Sequence, residues 1–252
     1  MHVISHSRSA DQILQAIGAP PPDRGAPSPD DLLIAKALPD GFTGRFLPHN
    51  PRTIEDVLDA VLLFGRHLGR DQSAQNLVVA MRERLDRAAE YVNAYEDGPS
   101  VAILESVDPL RIAGHWSVQL VERAGGRYPL NQTNPKPNAG AAAGPQQAER
   151  IAGPPVTVPA ELFAATAPDR LIIATGDLDH CRASARSLSQ RAWFADLPGV
   201  RDGQIALIDA VLFSIPGPAI VDTFEFLVGW LQGRDSLIPS GFSWEPFAPG
   251  SG

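Results

Sequence analysis

The chain has 252 residues, 44% of them hydrophobic and 20% charged, with a formal net charge of −8. That length can bury a sizeable core in one large domain or two smaller lobes. The acidic balance argues against a general nucleic-acid or anionic-membrane surface, because phosphate affinity needs clustered cations.

Cys181 is the single cysteine, so no intramolecular disulfide can form. The start, "MHVISHSRSADQILQAIGAP", has neither a basic n-region nor an apolar h-region and does not read as a signal peptide. As it stands the chain reads as cytoplasmic; with a leader ahead of it, periplasmic. It has no apolar run of about 18 residues, so it is not expected to span a membrane.

In chain order, His2 to Ser5 suits a short strand. Residues 9–18 carry Ile13, Leu14 and Ile17 at helical spacing, with Ser9 as N-cap and Gly18 as stop. "GAPPPDRGAPSP" then interrupts regular structure, and residues 31–36 and 44–49 read as short strands. Thr53 opens a helix, with Asp56 completing a capping-box-like arrangement. Gly69 interrupts, and a second helix is expected over 71–95. At 1.5 Å per residue it would reach roughly 35 Å.

After "EDGPS" the period changes. "VAILES" (101–106) is a continuous apolar strand of the kind buried on both faces of a parallel sheet. A helix over 115–124 follows, then a polar, Pro- and Gly-rich stretch over 128–150 that reads as a long flexible loop. Further strands are expected at "PVTV", 169–175 and 204–209, and helices at 159–166, 178–190 and 217–232. The tail "IPSGFSWEPFAPGSG" reads as extended and partly mobile. Alternating strands and helices indicate an α/β fold with a doubly wound parallel sheet. Such sheets place ligands beyond the carboxyl ends of their strands. Three strand ends qualify, Glu105–Pro109, Thr175–Cys181 and Asp209–Pro218, and the topology brings them to one edge.

Several motifs at those ends carry resemblance to a known family. "LESVDPLRIAGHWSVQLVERAGG" resembles the start of the carboxy-terminal lobe in the helical-backbone class of ABC-importer substrate-binding proteins, most of all the cobalamin- and siderophore-binding group. "WFADLPGVRDGQIALIDAVLFSIPGPAIVDTFEFLVGWL" is similar to the end of that lobe, and "NPRTIEDVLDAVLLFGRHLGRDQSAQNLVVAMRERL" to the approach to the family's long interlobe helix. The resemblance implies two Rossmann-like lobes with parallel sheets: a reduced amino-terminal lobe (1–70), an interlobe helix (71–98), a carboxy-terminal lobe (99–235) and a tail (236–252). The amino-terminal lobe is expected to be reduced because the "NPRT" region already starts at Asn50. Ser106 stands where the family has Trp, and "GDLDHC" replaces an apolar turn.

The candidate ligand contacts follow. Trp116 and Phe213 would offer flat surface to a ligand, and Asp108, His115 and Ser214 polar contacts, with Pro216 and Gly217 completing the turn. Packing inside the lobe is the other use of Trp116, helix capping that of His115, and a rigid turn before the last helix that of "FSIPGP". His49 and Asn50 are weaker candidates, and they equally suit a plain turn before Thr53. Asp177 and His180, with Cys181, have metal-ligand chemistry at one helix start. No second His or Cys motif accompanies them, and a solvated helix start over a buried Cys competes; the metal is unknown. No Gly-x-Ser-x-Gly, Walker loop or dinucleotide fingerprint is present, so no catalytic residues and no required cofactor are expected.

The leading expectation is non-enzymatic binding of cobalamin, a haem-like tetrapyrrole or a ferric chelate, with an ABC permease as protein partner. One alternative is a repurposed structural or assembly subunit using the fold as an interaction surface. Another is a cytoplasmic enzyme or metallochaperone acting on a tetrapyrrole.

Overall fold

A computed structural model of the chain describes residues 2–93, 97–135 and 150–249. It contains two compact units. Unit 1 comprises Met1–Asp86 and Ile215–Val221, and unit 2 comprises Arg87–Ser214 and Asp222–Gly252.

Unit 1 is built from β1 (Val3–Ser5), α1 (Arg8–Ala16), β2 (Leu32–Ala35), β3 (Arg45–Pro48), α2 (Ile54–Leu68) and most of α3 (Asp71–Ala89). Its three strands are parallel in the order β1-β2-β3. All four residues of the central strand are buried, as its unbroken apolar run requires. Ser7, not Ser9, caps α1, its side chain accepting from Ala10 N–H. Ser9 is free to bond elsewhere because it lies inside the first turn.

The start of α2 is a complete capping box. Thr53 Oγ1 accepts from Asp56 N–H at 3.0 Å, and the Asp56 carboxylate accepts from Thr53 N–H at 3.1 Å. Ile54, Val57, Leu58 and Val61 are buried, as their spacing predicts. Helix α3 ends at Ala89, earlier than the periodicity suggests, and the unit boundary falls within it.

Unit 2 holds β4 (Val101–Val107), β5 (Leu110–Ile112), α4 (Trp116–Arg123), β6 (Asn134–Pro135), β7 (Arg150–Ile151), β8 (Val156–Thr157), α5 (Ala160–Ala165) and β9 (Arg170–Ile173). It continues through α6 (Leu178–Ser189), α7 (Pro198–Arg201), β10 (Ile205–Ile208), α8 (Val211–Ser214), most of α9 (Ile220–Leu231) and β11 (Trp244–Pro246). The six-stranded sheet runs β11-β10-β9-β4-β5-β8. Its centre, β10-β9-β4, is parallel and consists of the three apolar runs expected from the sequence.

The edges differ from the expectation of an all-parallel sheet. Strand β5 turns back antiparallel on β4, β8 pairs antiparallel with β5, and β11 pairs antiparallel with β10. The "VDPL" segment is therefore a hairpin turn, with a cis Asp108–Pro109 peptide, and does not lead straight into a helix.

The described part of the tail packs against the body of unit 2. Arg182 on α6 grips Glu245 on β11 through two bonds, Nε to Oε1 at 2.6 Å and Nη2 to Oε2 at 2.9 Å. Phe242 stacks on Phe226 with centroids 4.7 Å apart, and Trp244 lies 5.1 Å from the same ring. The aromatics in "GFSWEPF" are the sequence signal for this docking. Of the expected loop over 128–150, Tyr128 is buried and β6 pairs with β7, while residues 136–149 lie outside the described residues. No helix among the described residues is long and apolar enough to cross a membrane.

Candidate functional site

The parallel strands of unit 2 end side by side, because Leu104 on β4 is in register with Ile173 on β9, and Leu207 on β10 with the same residue. The next residues form the floor of a cavity of about 340 Å³: Glu105 after Leu104, Ala174 and Thr175 after β9, and Ala210 after β10. This is the crevice that a parallel sheet creates at its carboxyl edge.

Two loop-to-helix junctions wall it. At the first, Gly114 approaches residues 153–155 so closely that a Cβ there would sit 2.4 Å from Gly153 O. Only glycine fits, and the contact brings Pro155 into the wall. His115 then adopts φ 53°, a positive value rare outside glycine, while its N–H donates to Gly153 O at 2.9 Å. Strain of this kind costs on the order of 1–3 kcal/mol and gathers at functional positions. The His115 side chain makes no capping bond to α4. Its ring stacks on that of Trp116, with centroids 6.0 Å apart and planes 19° from parallel. Both residues line the cavity.

At the second junction, α8 carries Phe213 and Ser214 into the lining. Phe213 is 2% exposed and Trp116 9%, so most of each ring is packed and little of it meets the cavity. Ser117 Oγ donates to Phe213 O at 3.1 Å and ties the two junctions together. Trp116 Nε1 is sealed from solvent and lacks a hydrogen-bond partner among the described residues, a deficit of about 1–3 kcal/mol.

Glu105 brings the charge. Burial raises its pKa, partly offset by Arg111 on β5, whose Nε lies 3.4 Å from Oε2. An acid at the end of an apolar strand was the signal for Glu105. Pro155 had no such signal, since only the fold brings it to Gly114.

Four of the residues singled out in the sequence, His115, Trp116, Phe213 and Ser214, thus share one cavity, and the others lie outside its lining. Asp108 is exposed at the hairpin turn. Pro216 and Gly217 belong to the segment that joins unit 1, where Ser9 Oγ donates to Pro216 O at 2.5 Å and Gln12 presses on Gly217. Asp177 caps α6 by accepting from His180 N–H at 2.9 Å, and His180 is exposed. Cys181 is buried, with Sγ 3.3 Å from Ile208 O. No group of three or more potential metal ligands occurs among the described residues.

His49 and Asn50 line a different cavity of about 500 Å³, wholly within unit 1 and beyond the end of β3. His49 is not in a plain turn. Its ring is buried beside Phe64, and Nε2 lies 2.8 Å from Ser9 Oγ. Because Ser9 gives its proton to Pro216 O, His49 Nε2 is the donor in that pair. Burial pushes the His49 pKa down to about 4.

No protein-family model matches the chain, and no curated protein matches it in sequence. Solved structures do match in fold. A periplasmic binding protein from Veillonella parvula superimposes with a TM-score of 0.72 at 14% identity, covering 92% of this chain and 91% of that one. A periplasmic heme-binding protein from Pseudomonas aeruginosa gives 0.67 at 19% identity, covering 98% and 95%. The periplasmic vitamin B12-binding protein BtuF of Vibrio cholerae gives 0.67 at 18% identity, covering 93% and 97%. The chain therefore has the fold of the periplasmic binding proteins, as the motif resemblance implies.

Proposed function

We propose that this protein is a substrate-binding protein that holds a flat, mostly apolar ligand of the tetrapyrrole, corrinoid or metal-chelate type without transforming it. The observation that carries this reading is the pairing of Trp116 and Phe213 on one cavity at the carboxyl ends of β4, β9 and β10. An indole and a phenyl ring make the lining apolar and rigid, and a few polar groups around them fix orientation. The names of the heme- and vitamin B12-binding neighbours support the same class. An ABC permease is the protein partner that this reading entails.

The test is a titration of the purified protein with haem and with cyanocobalamin, followed by tryptophan fluorescence and the ligand's visible spectrum. Saturable binding is expected for at least one of them. Trp116→Ala should weaken it by about tenfold or more, in line with the loss of an aromatic anchor. Asp108→Ala, at the exposed hairpin turn, should leave it within about twofold. Absence of saturable binding by either compound sinks the proposal.

A further inference from the structure

The walls of the unit 2 cavity carry one carboxylate, Glu105, and neither Lys nor Arg among the described residues. Arg111 reaches Glu105 from β5 but is not part of the lining, and its side chain is half exposed. The other side chains there with polar atoms are His115, Trp116, Thr175 and Ser214. The Thr175 hydroxyl is paired with Ser184 Oγ at 2.9 Å and keeps acceptor capacity toward a ligand.

A ligand group facing Glu105 and Thr175 therefore meets acceptors. A hydrogen-bond donor is satisfied there. A carboxylate meets another carboxylate with no Lys or Arg of the wall to neutralise it, in a partly buried place where like charges repel more strongly than in water.

From this we infer that Glu105 is a specificity-determining residue, selecting ligands whose rim bears neutral donor groups, such as carboxamides, over ligands of the same shape whose rim bears free carboxylates. The inference rests on the binding reading above and narrows it to a chemical class. Burial raises the Glu105 pKa, so a neighbouring anion would drive the side chain toward its protonated form at further cost. The net charge of −8 also disfavours the approach of anionic ligands.

Two pairs of probes of matched shape test this. One is cyanocobalamin against a derivative with one peripheral amide hydrolysed to the acid. The other is haem against its dimethyl ester, in which carboxylates are masked but no donors are added. Affinities are measured for the wild type, Glu105→Gln and Glu105→Lys, with thermal unfolding of each variant as a fold check. In the wild type, the amide should bind about tenfold more tightly than its acid, the size of one charge-assisted hydrogen bond lost. The ester should also outbind haem. Glu105→Gln should narrow both gaps to about threefold or less, and Glu105→Lys should reverse them.

A purely structural role for Glu105 would weaken both members of a pair alike and leave their ratio unchanged. An unchanged ratio in Glu105→Gln, or acids that bind the wild type as tightly as their neutral forms, overturns the inference while the binding reading survives. If none of the four probes binds, both fall together.

Discussion

Units 1 and 2 each open a cavity past the carboxyl ends of parallel strands, yet their walls have little in common. In unit 1 the rim carries His49, Asn50, Asp56, Asp59 and Arg66, with both signs of charge. In unit 2 it carries Trp116, Phe213 and a single carboxylate. The strands feeding the two rims differ as well: β3, which ends at the unit 1 rim, is largely exposed, whereas β10 is buried at every position. The contrast arises in the strands and in the few residues after them. The sheet sets where a cavity forms, and the following turn sets what it can hold.

The manner of support differs too. The unit 2 rim is backed by apolar packing, in which most of Phe213 itself is sunk at 2% exposure. Behind the unit 1 rim lies a buried polar chain from His49 through Ser9 to Pro216. Three measurements can break or sharpen this contrast. The largest effect is expected from Phe213→Ala, which should lower unfolding free energy by about 3–5 kcal/mol in denaturant titrations, as for other fully buried Phe truncations. A loss below about 1 kcal/mol would mean that the ring is not part of the core.

The next concerns acid. His49 has a folded pKa of about 4, against an ordinary value of 6.5. The unfolded chain thus binds the proton more readily. Its contribution is whole above pH 6.5, declines as pH falls, and is gone below about pH 4. The full span is about 3 kcal/mol. Stability measured from pH 7 to 4 should fall more steeply in the wild type than in His49→Leu, and equal slopes would remove His49 from the account. The smallest effect is expected at the α2 start, where Thr53→Ala breaks the capping box and should cost about 1 kcal/mol.

Legibility in the sequence followed the same division. Continuous apolar runs such as "VAILES" and "DRLIIAT" pointed to the buried parallel strands, and Thr53 with Asp56 to a helix start, because each signal is local. Trp116 and Phe213 could be paired because both follow such strands. The antiparallel edges were harder. A three-residue strand such as β5 or β11 has too few side chains for a period, and its existence depends on a partner far away in sequence, as Trp244 depends on Ile208. The close approach of Gly114 to residues 153–155 is likewise invisible to any local pattern. The sequence pattern makes Ser9 a cap, but a hydroxyl two residues past the actual cap Ser7 serves another purpose when a carbonyl 207 residues away comes within reach.

That last contact has a consequence for how the chain acquires its structure. Neither unit is an unbroken stretch of polypeptide, since residues 215–221 return to the body formed by the first 86. On the ribosome, the Ser9 hydroxyl must wait for Pro216 to be made before its proton has a destination in the native arrangement. Closing a loop of that size is entropically expensive, and contacts of such long range slow folding. That contact therefore forms late, in step with the far end of the chain.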